Sequence, residues 1–228
     1  KKKNIKLMKQ VVLDTETTGL SVKEGHRIVE IACMELDDLM PSKNVFHCYL
    51  NPERKVSEKA LQVHGYTDKF LSDKKKFKDV ADQFLDFIEG KEIIIHNAEF
   101  DIAHINNELS LIGRKKIDKK FVIDTLEIAR NKFPGSGISL DALCKRFRID
   151  NSRRIKHTAV IDCELLSKVY INLIDQKEPT LNFKSTANLN SKIQQNSAQE
   201  YCKEIISPTP EELELHKKLL VTLKKNYF

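Results

Sequence analysis

The chain has 228 residues, 40% of them apolar and 32% charged, and carries a formal net charge of +6. That length suffices for one well-buried domain with an appendage, and no apolar run approaches the roughly 18 residues that a bilayer span needs. Its five cysteines, Cys33, Cys48, Cys144, Cys163 and Cys202, are odd in number and scattered without a C-x-x-C pair, which argues against a disulfide framework and a zinc site and reads as reduced thiols.

The basic start, Lys1-Lys2-Lys3, leads into no apolar signal core, so a cytoplasmic location is expected. Gln10-Val11-Val12-Leu13 reads as a buried strand ending at Asp14. Arg27–Leu36 and Val45–Leu50 read as two more strands, and a short helix starts at Ser57 and is ended by Gly65. Phe77–Ile88 has helical apolar spacing, and the β-branched run Ile93–Ile95 predicts a central strand. A helix over Ala98–Ile112, a short strand at Phe121–Ile123 and helices over Thr125–Lys132, Ser139–Phe147 and Thr158–Leu173 complete the order. Three strands followed by helices alternating with two more imply an α/β sandwich with a mixed sheet. From Ser185 to Gln199, ten of fifteen residues are Ser, Thr, Asn or Gln, a composition expected to form a flexible linker. Thr209, Pro210 and Glu212 then spell a capping box and a closing helix.

Three segments carry chemistry. In Asp14-Thr15-Glu16-Thr17-Thr18-Gly19-Leu20, the two acids stand at i and i+2, so a strand points both to one face. Paired carboxylates there call for a positive partner, and oxygen ligands favour Mg²⁺ or Mn²⁺; an ordinary solvated strand end is the plainer alternative. His96-Asn97-Ala98-Glu99-Phe100-Asp101 follows a strand and opens a helix, where ligands collect in α/β sheets; a favourable charge at a helix start is the plainer alternative for Asp101. His157-Thr158-Ala159-Val160-Ile161-Asp162 places a His in the loop before a helix and Asp162 inside it. The basic pairs Lys115-Lys116 and Arg153-Arg154 could track a phosphate backbone or be solvated surface, and one of the two is expected to act.

Together these segments resemble the three motifs of the DEDDh 3′→5′ exonuclease superfamily, from about Val11 to Ile174, and within it the epsilon (proofreading) subunits of bacterial DNA polymerase III. Val63-His64-Gly65-Tyr66-Thr67-Asp68 resembles a loop of that family. The resemblance implies a ribonuclease-H-like mixed five-stranded sheet flanked by helices, with a flexible C-terminal tail. It makes Asp14, Glu16, Asp101 and Asp162 ligands of two divalent metal ions, Mg²⁺ or Mn²⁺, and His157 the general base, a role that an imidazole with a reference pKa of about 6.5 can fill. The expected product is a nucleoside 5′-monophosphate. By analogy Glu16, Thr17, Leu20, His64, His96, Asn97 and His157 would contact the 3′ end of DNA, single-stranded or frayed; turn stabilisation is the alternative for His64.

The same resemblance divides the chain into a 1–183 exonuclease domain, a 184–208 linker and a 209–228 helix that binds the polymerase catalytic subunit. Residues 178–183 resemble a sliding-clamp-binding segment with anchors Leu181 and Phe183, although Glu178 stands where that motif opens with Gln, and Glu lacks the amide's donors. A free-standing nuclease trimming RNA or short oligonucleotides would not need the tail. A non-catalytic nucleic-acid-binding or assembly subunit would not need the five-residue set.

Overall fold

The computed structural model describes residues 9–174 and 208–227. Five strands form one sheet: β1 (Gln10–Thr17), β2 (Ile28–Asp37), β3 (Met40–Tyr49), β4 (Glu92–Ile95) and β5 (Val122–Asp124), in the order β3-β2-β1-β4-β5. β1 lies at the centre, antiparallel to β2 and parallel to β4. The expected mixed five-stranded sheet flanked by helices is therefore present.

Helices cover both faces, which is why the inner strands are buried nearly throughout rather than alternating. On one face Val11, Leu13, Ile31, Cys33, Ile93 and Ile95 pack against α3 (Phe77–Ile88) and α4 (Ala98–Leu111). On the other, Val12, Ala32, Met34 and Ile94 meet α5 (Thr125–Lys132), α6 (Leu140–Phe147) and α7 (Ala159–Leu173). The alternation of Val11, Val12 and Leu13 between faces is the period-2 rule of a strand. It puts Asp14 and Glu16 on the parity of Val12, toward α7.

Two elements differ from expectation. β3 begins at Met40 rather than Val45 because β2 and β3 are joined by a two-residue hairpin turn at Asp38-Leu39. Both residues have positive φ, 46° and 68°, as a type I′ turn requires, but without the Asn-Gly signature that would have announced it. Between α1 (Glu58–His64) and α3 a further one-turn helix, α2 (Asp68–Leu71), is capped by the Thr67 hydroxyl. Cys33, Cys48, Cys144 and Cys163 are free thiols, three of them buried; Cys202 lies outside the described residues.

α8 (Pro210–Tyr227) forms a separate unit. Thr209 N donates to the Glu212 carboxylate (2.8 Å) while Glu212 N donates to the Thr209 hydroxyl (3.3 Å), a reciprocal capping box. Leu213, Leu215, Leu219, Leu220 and Val221 are exposed on it. The linker and the segment with Glu178, Leu181 and Phe183 fall outside the described residues. No described helix is long and apolar enough to cross a membrane.

Candidate active site

A cavity of about 460 Å³ opens at the C-terminal ends of β1 and β4. β1 brings Asp14 and Glu16, the first turn of α4 brings Asp101, and α7 brings Asp162; His157 stands beside them on the loop before α7, and all five line this one cavity. Atoms of Glu16, His157 and Asp162 lie within 4.8 Å of one another.

Each acid is held by a local device. Asp101 Oδ1 accepts from the backbone N–H (3.0 Å) and hydroxyl (2.6 Å) of Thr15, tying α4 to β1. The α4 start is itself set by Asp124 at the end of β5, whose carboxylate accepts from Asn97 N (3.1 Å), Ala98 N (3.2 Å) and Leu126 N (2.9 Å). Asn97 is left-handed there, φ 71°, a conformation that Asn tolerates better than most residues. α7 is anchored by Glu30, which lies opposite Glu16 in the β1–β2 register. Glu30 is fully buried and accepts from Ala159 N (2.9 Å), the Tyr66 hydroxyl (2.8 Å) and, when that nitrogen is protonated, His47 Nε2 (2.8 Å). It thus fixes the helix that carries Asp162 to the strand beside Glu16.

Crowding and burial push these acids up. Asp14 lies well above the usual carboxylate range through burial and the charges of Asp101, Asp162 and Glu16. Burial, then Asp162 and Glu30, raises Glu16 to about 8. Burial raises Asp101 to about 7 against the Thr15 hydrogen bonds. Asp162 goes the other way: burial would raise it, but the hydrogen bonds and positive charge of Arg154 outweigh that and lower it. Clustered oxygen donors that resist ionising together fit hard divalent cations.

A pH dependence follows. Groups raised in the fold stabilise it below their unfolded values, near 4, and that stability is lost as pH rises through about 7 for Asp101 and about 8 for Glu16. With a chelator present, thermal melts should therefore show the midpoint falling between about pH 5 and pH 8.5, and Mg²⁺ should remove most of the fall. A midpoint that climbs over this range in chelator would contradict the assigned repulsion.

Of the other sequence candidates, His96 and Asn97 line the cavity, and His96 Nδ1 lies 2.9 Å from the Thr125 hydroxyl. Thr17, Leu20 and His64 do not line it. The Thr17 hydroxyl donates to Gly19 O (2.8 Å), bracing the turn. His64 is buried, accepts from Tyr66 N (3.0 Å) and stacks on the Tyr66 ring. Leu20 is 80% exposed. Lys115 and Lys116 line a different cavity, Arg153 pairs with Glu164 (2.5 Å), and Arg154 turns inward, only 7% exposed, onto Asp162 and Asp141. Glu30, Asp141 and the inward turn of Arg154 escaped the sequence reading; the spacing of Arg154 three residues before His157 was the one available signal.

Known proteins resemble this chain in sequence and in fold. A family model described as Exonuclease matches residues 11–170. The DNA polymerase III subunit epsilon of Rickettsia conorii is 42% identical over 233 residues, covering 97% of this chain and 99% of that protein. The one from Escherichia coli K12 is 46% identical over 172 residues, 72% of this chain and 71% of that protein. Among solved structures, Exonuclease X in complex with 5′ overhanging duplex DNA is 26% identical with a TM-score of 0.58, over 74% of this chain and 92% of that one. The nuclease domain of 3′hExo, a DEDDh family member bound to rAMP, shares the fold at 18% identity, with a TM-score of 0.64 over the same shares of the two chains.

Proposed function

The chain belongs to the exonuclease family, among the DEDDh enzymes most like epsilon subunits, and on that premise we propose that it is the proofreading 3′→5′ exonuclease of a replicative DNA polymerase. The observation that carries the proposal is the meeting of four carboxylates from three elements in one cavity with a His at their side. Asp14, Glu16, Asp101 and Asp162 would hold two Mg²⁺ or Mn²⁺ ions. Ions bound there supply positive charge that stabilises the attacking and leaving oxygens of an in-line displacement. His157 accepts the proton of the attacking water. His96 and Asn97 line the cavity within reach of the terminal nucleotides, and the exposed Leu20 offers an apolar contact to the last base. The product is a nucleoside 5′-monophosphate.

α8, whose described side chains include five exposed apolar ones, suits attachment to the polymerase catalytic subunit, and 178–183 suits a weak clamp contact in which Leu181 and Phe183 would be the anchors. Purified protein should degrade 3′-mismatched primer–template DNA with Mg²⁺, release mononucleotides and stop with chelator. Truncation after Phe183 should leave turnover on single-stranded DNA nearly unchanged while ending co-purification with the polymerase subunit. Degradation of RNA in preference to mismatched DNA would favour the trimming reading instead.

A further inference from the structure

Arg154 makes an unusual set of contacts. Its Nε and one terminal nitrogen grip both oxygens of Asp162 (2.6 and 2.7 Å), and its other terminal nitrogen holds Asp141 Oδ2 (2.7 Å). The nitrogen on Asp162 Oδ2 also lies 2.8 Å from His157 Nδ1. A guanidinium only donates and stays protonated. In that contact His157 Nδ1 must be the acceptor, so a neutral ring carries its hydrogen on Nε2. Neither ring nitrogen is then free to take a proton, and both Asp162 oxygens already serve a cation. One side chain thus engages a metal-binding carboxylate and the base together.

We infer that Arg154 is a latch: an internal cation that holds Asp162 and His157 in an inactive arrangement and is released from both when a divalent ion binds at Asp162. Asp141, with 55% of its side chain exposed, keeps the freed guanidinium at the cavity rim. The loop need not unfold, because His157 N stays bonded to Val63 O (3.2 Å) and the Lys156 side chain lies over Gly65. The inference rests on the proposed metal role of Asp162. Its rival is a permanent brace, in which Arg154 shapes Asp162 for the metal. The two predict opposite signs. A latch costs metal affinity, because only the unlatched fraction can bind; a brace adds to it.

The test is calorimetric titration of the full chain with Mn²⁺, without nucleic acid. Arg154→Gln should bind on the order of tenfold more tightly than wild type. Arg154→Lys, which keeps a cation but cannot chelate both oxygens, should fall between them and serves if the first variant does not fold. In ¹⁵N spectra, the wild-type His157 Nδ1 signal should shift on adding Mg²⁺ as its arginine partner leaves. Equal or weaker Mn²⁺ affinity in the variants, no binding by any of them, or a His157 signal indifferent to Mg²⁺ would overturn the latch. Wild type that fails to cleave 3′ ends while the affinities rank as expected sinks the proposed reaction and spares the latch. Normal cleavage with unchanged affinities does the reverse.

Discussion

Asp14→Ala and Asp162→Ala should each abolish 3′-end cleavage without unfolding the protein, yet shift its stability in opposite directions. Metal charge at the reacting phosphate is worth several kcal/mol, and each 1.36 kcal/mol is tenfold in rate. Losing a ligand should therefore cost about 10³-fold or more. The stability effects separate because the two acids live differently. Asp14 is raised by burial and by four neighbouring carboxylates, so removing it relieves repulsion and should raise the melting temperature in chelator. Asp162 takes two hydrogen bonds from Arg154. Removing it strands a nearly buried guanidinium on Asp141 and His157 and should cost about 1–3 kcal/mol. Gel assays on a labelled single strand, with circular dichroism melts in chelator, check both halves. Near-wild-type turnover in either variant, with native dichroism, would remove that residue from the metal site.

Much of this site was legible because its chemistry is local in sequence. Asp14 and Glu16 share a face by strand parity alone, and β1 does run through both, to Thr17. Asp101 and Asp162 each sit in the first turn of a helix whose start the sequence marks. What escaped was set by tertiary pairing. Glu30 reads as one charge in a partly alternating strand, and nothing near it announces that His47, Tyr66 and Ala159 converge on its carboxylate. The Asp38-Leu39 turn lacks the Gly or Asn that positive φ favours. Leu39 holds its φ of 68° where its side chain packs against the core, so packing overrode local preference. His64 illustrates the reverse case: its plainer alternative, turn stabilisation, matches its contacts. Arg154 looked like half of a solvated basic pair, because nothing in a sequence says which of two adjacent arginines turns inward.

Glu30 explains why the acids can stay clustered at all. A carboxylate with no exposed surface, next to Glu16 across the ladder, adds to the repulsion that raises Glu16. It is retained because Tyr66 and the α7 N-terminus each donate to it and His47 lies in hydrogen-bonding contact. Buried charge of this kind is costly unless every lone pair is used. Here its use is to fix α7, and with it Asp162 and the His157 loop, against the central strands. The repulsion is thereby built into a rigid frame rather than relaxed by motion, which keeps the site prepared for cations.

His157→Ala should lower the cleavage rate by about 10²–10⁴-fold, the range for loss of a general base, while sparing Mn²⁺ affinity. His157 can act in this way because its side chain is 44% exposed at the cavity rim, with its backbone tied to Val63. Of the five residues assigned to the chemistry it is the one that is not an acid, and its ring contacts Arg154 and Asp162. Truncation takes one partner from Arg154 but removes none of the four carboxylates that line the cavity, so the cluster should keep its capacity for metal. The pH profile provides the sharper reading. The two profiles should differ in shape, because the variant lacks the group assigned to proton transfer while the acids are present in both. Profiles of the same shape in the two proteins, at any relative rate, would show that proton transfer does not pass through His157.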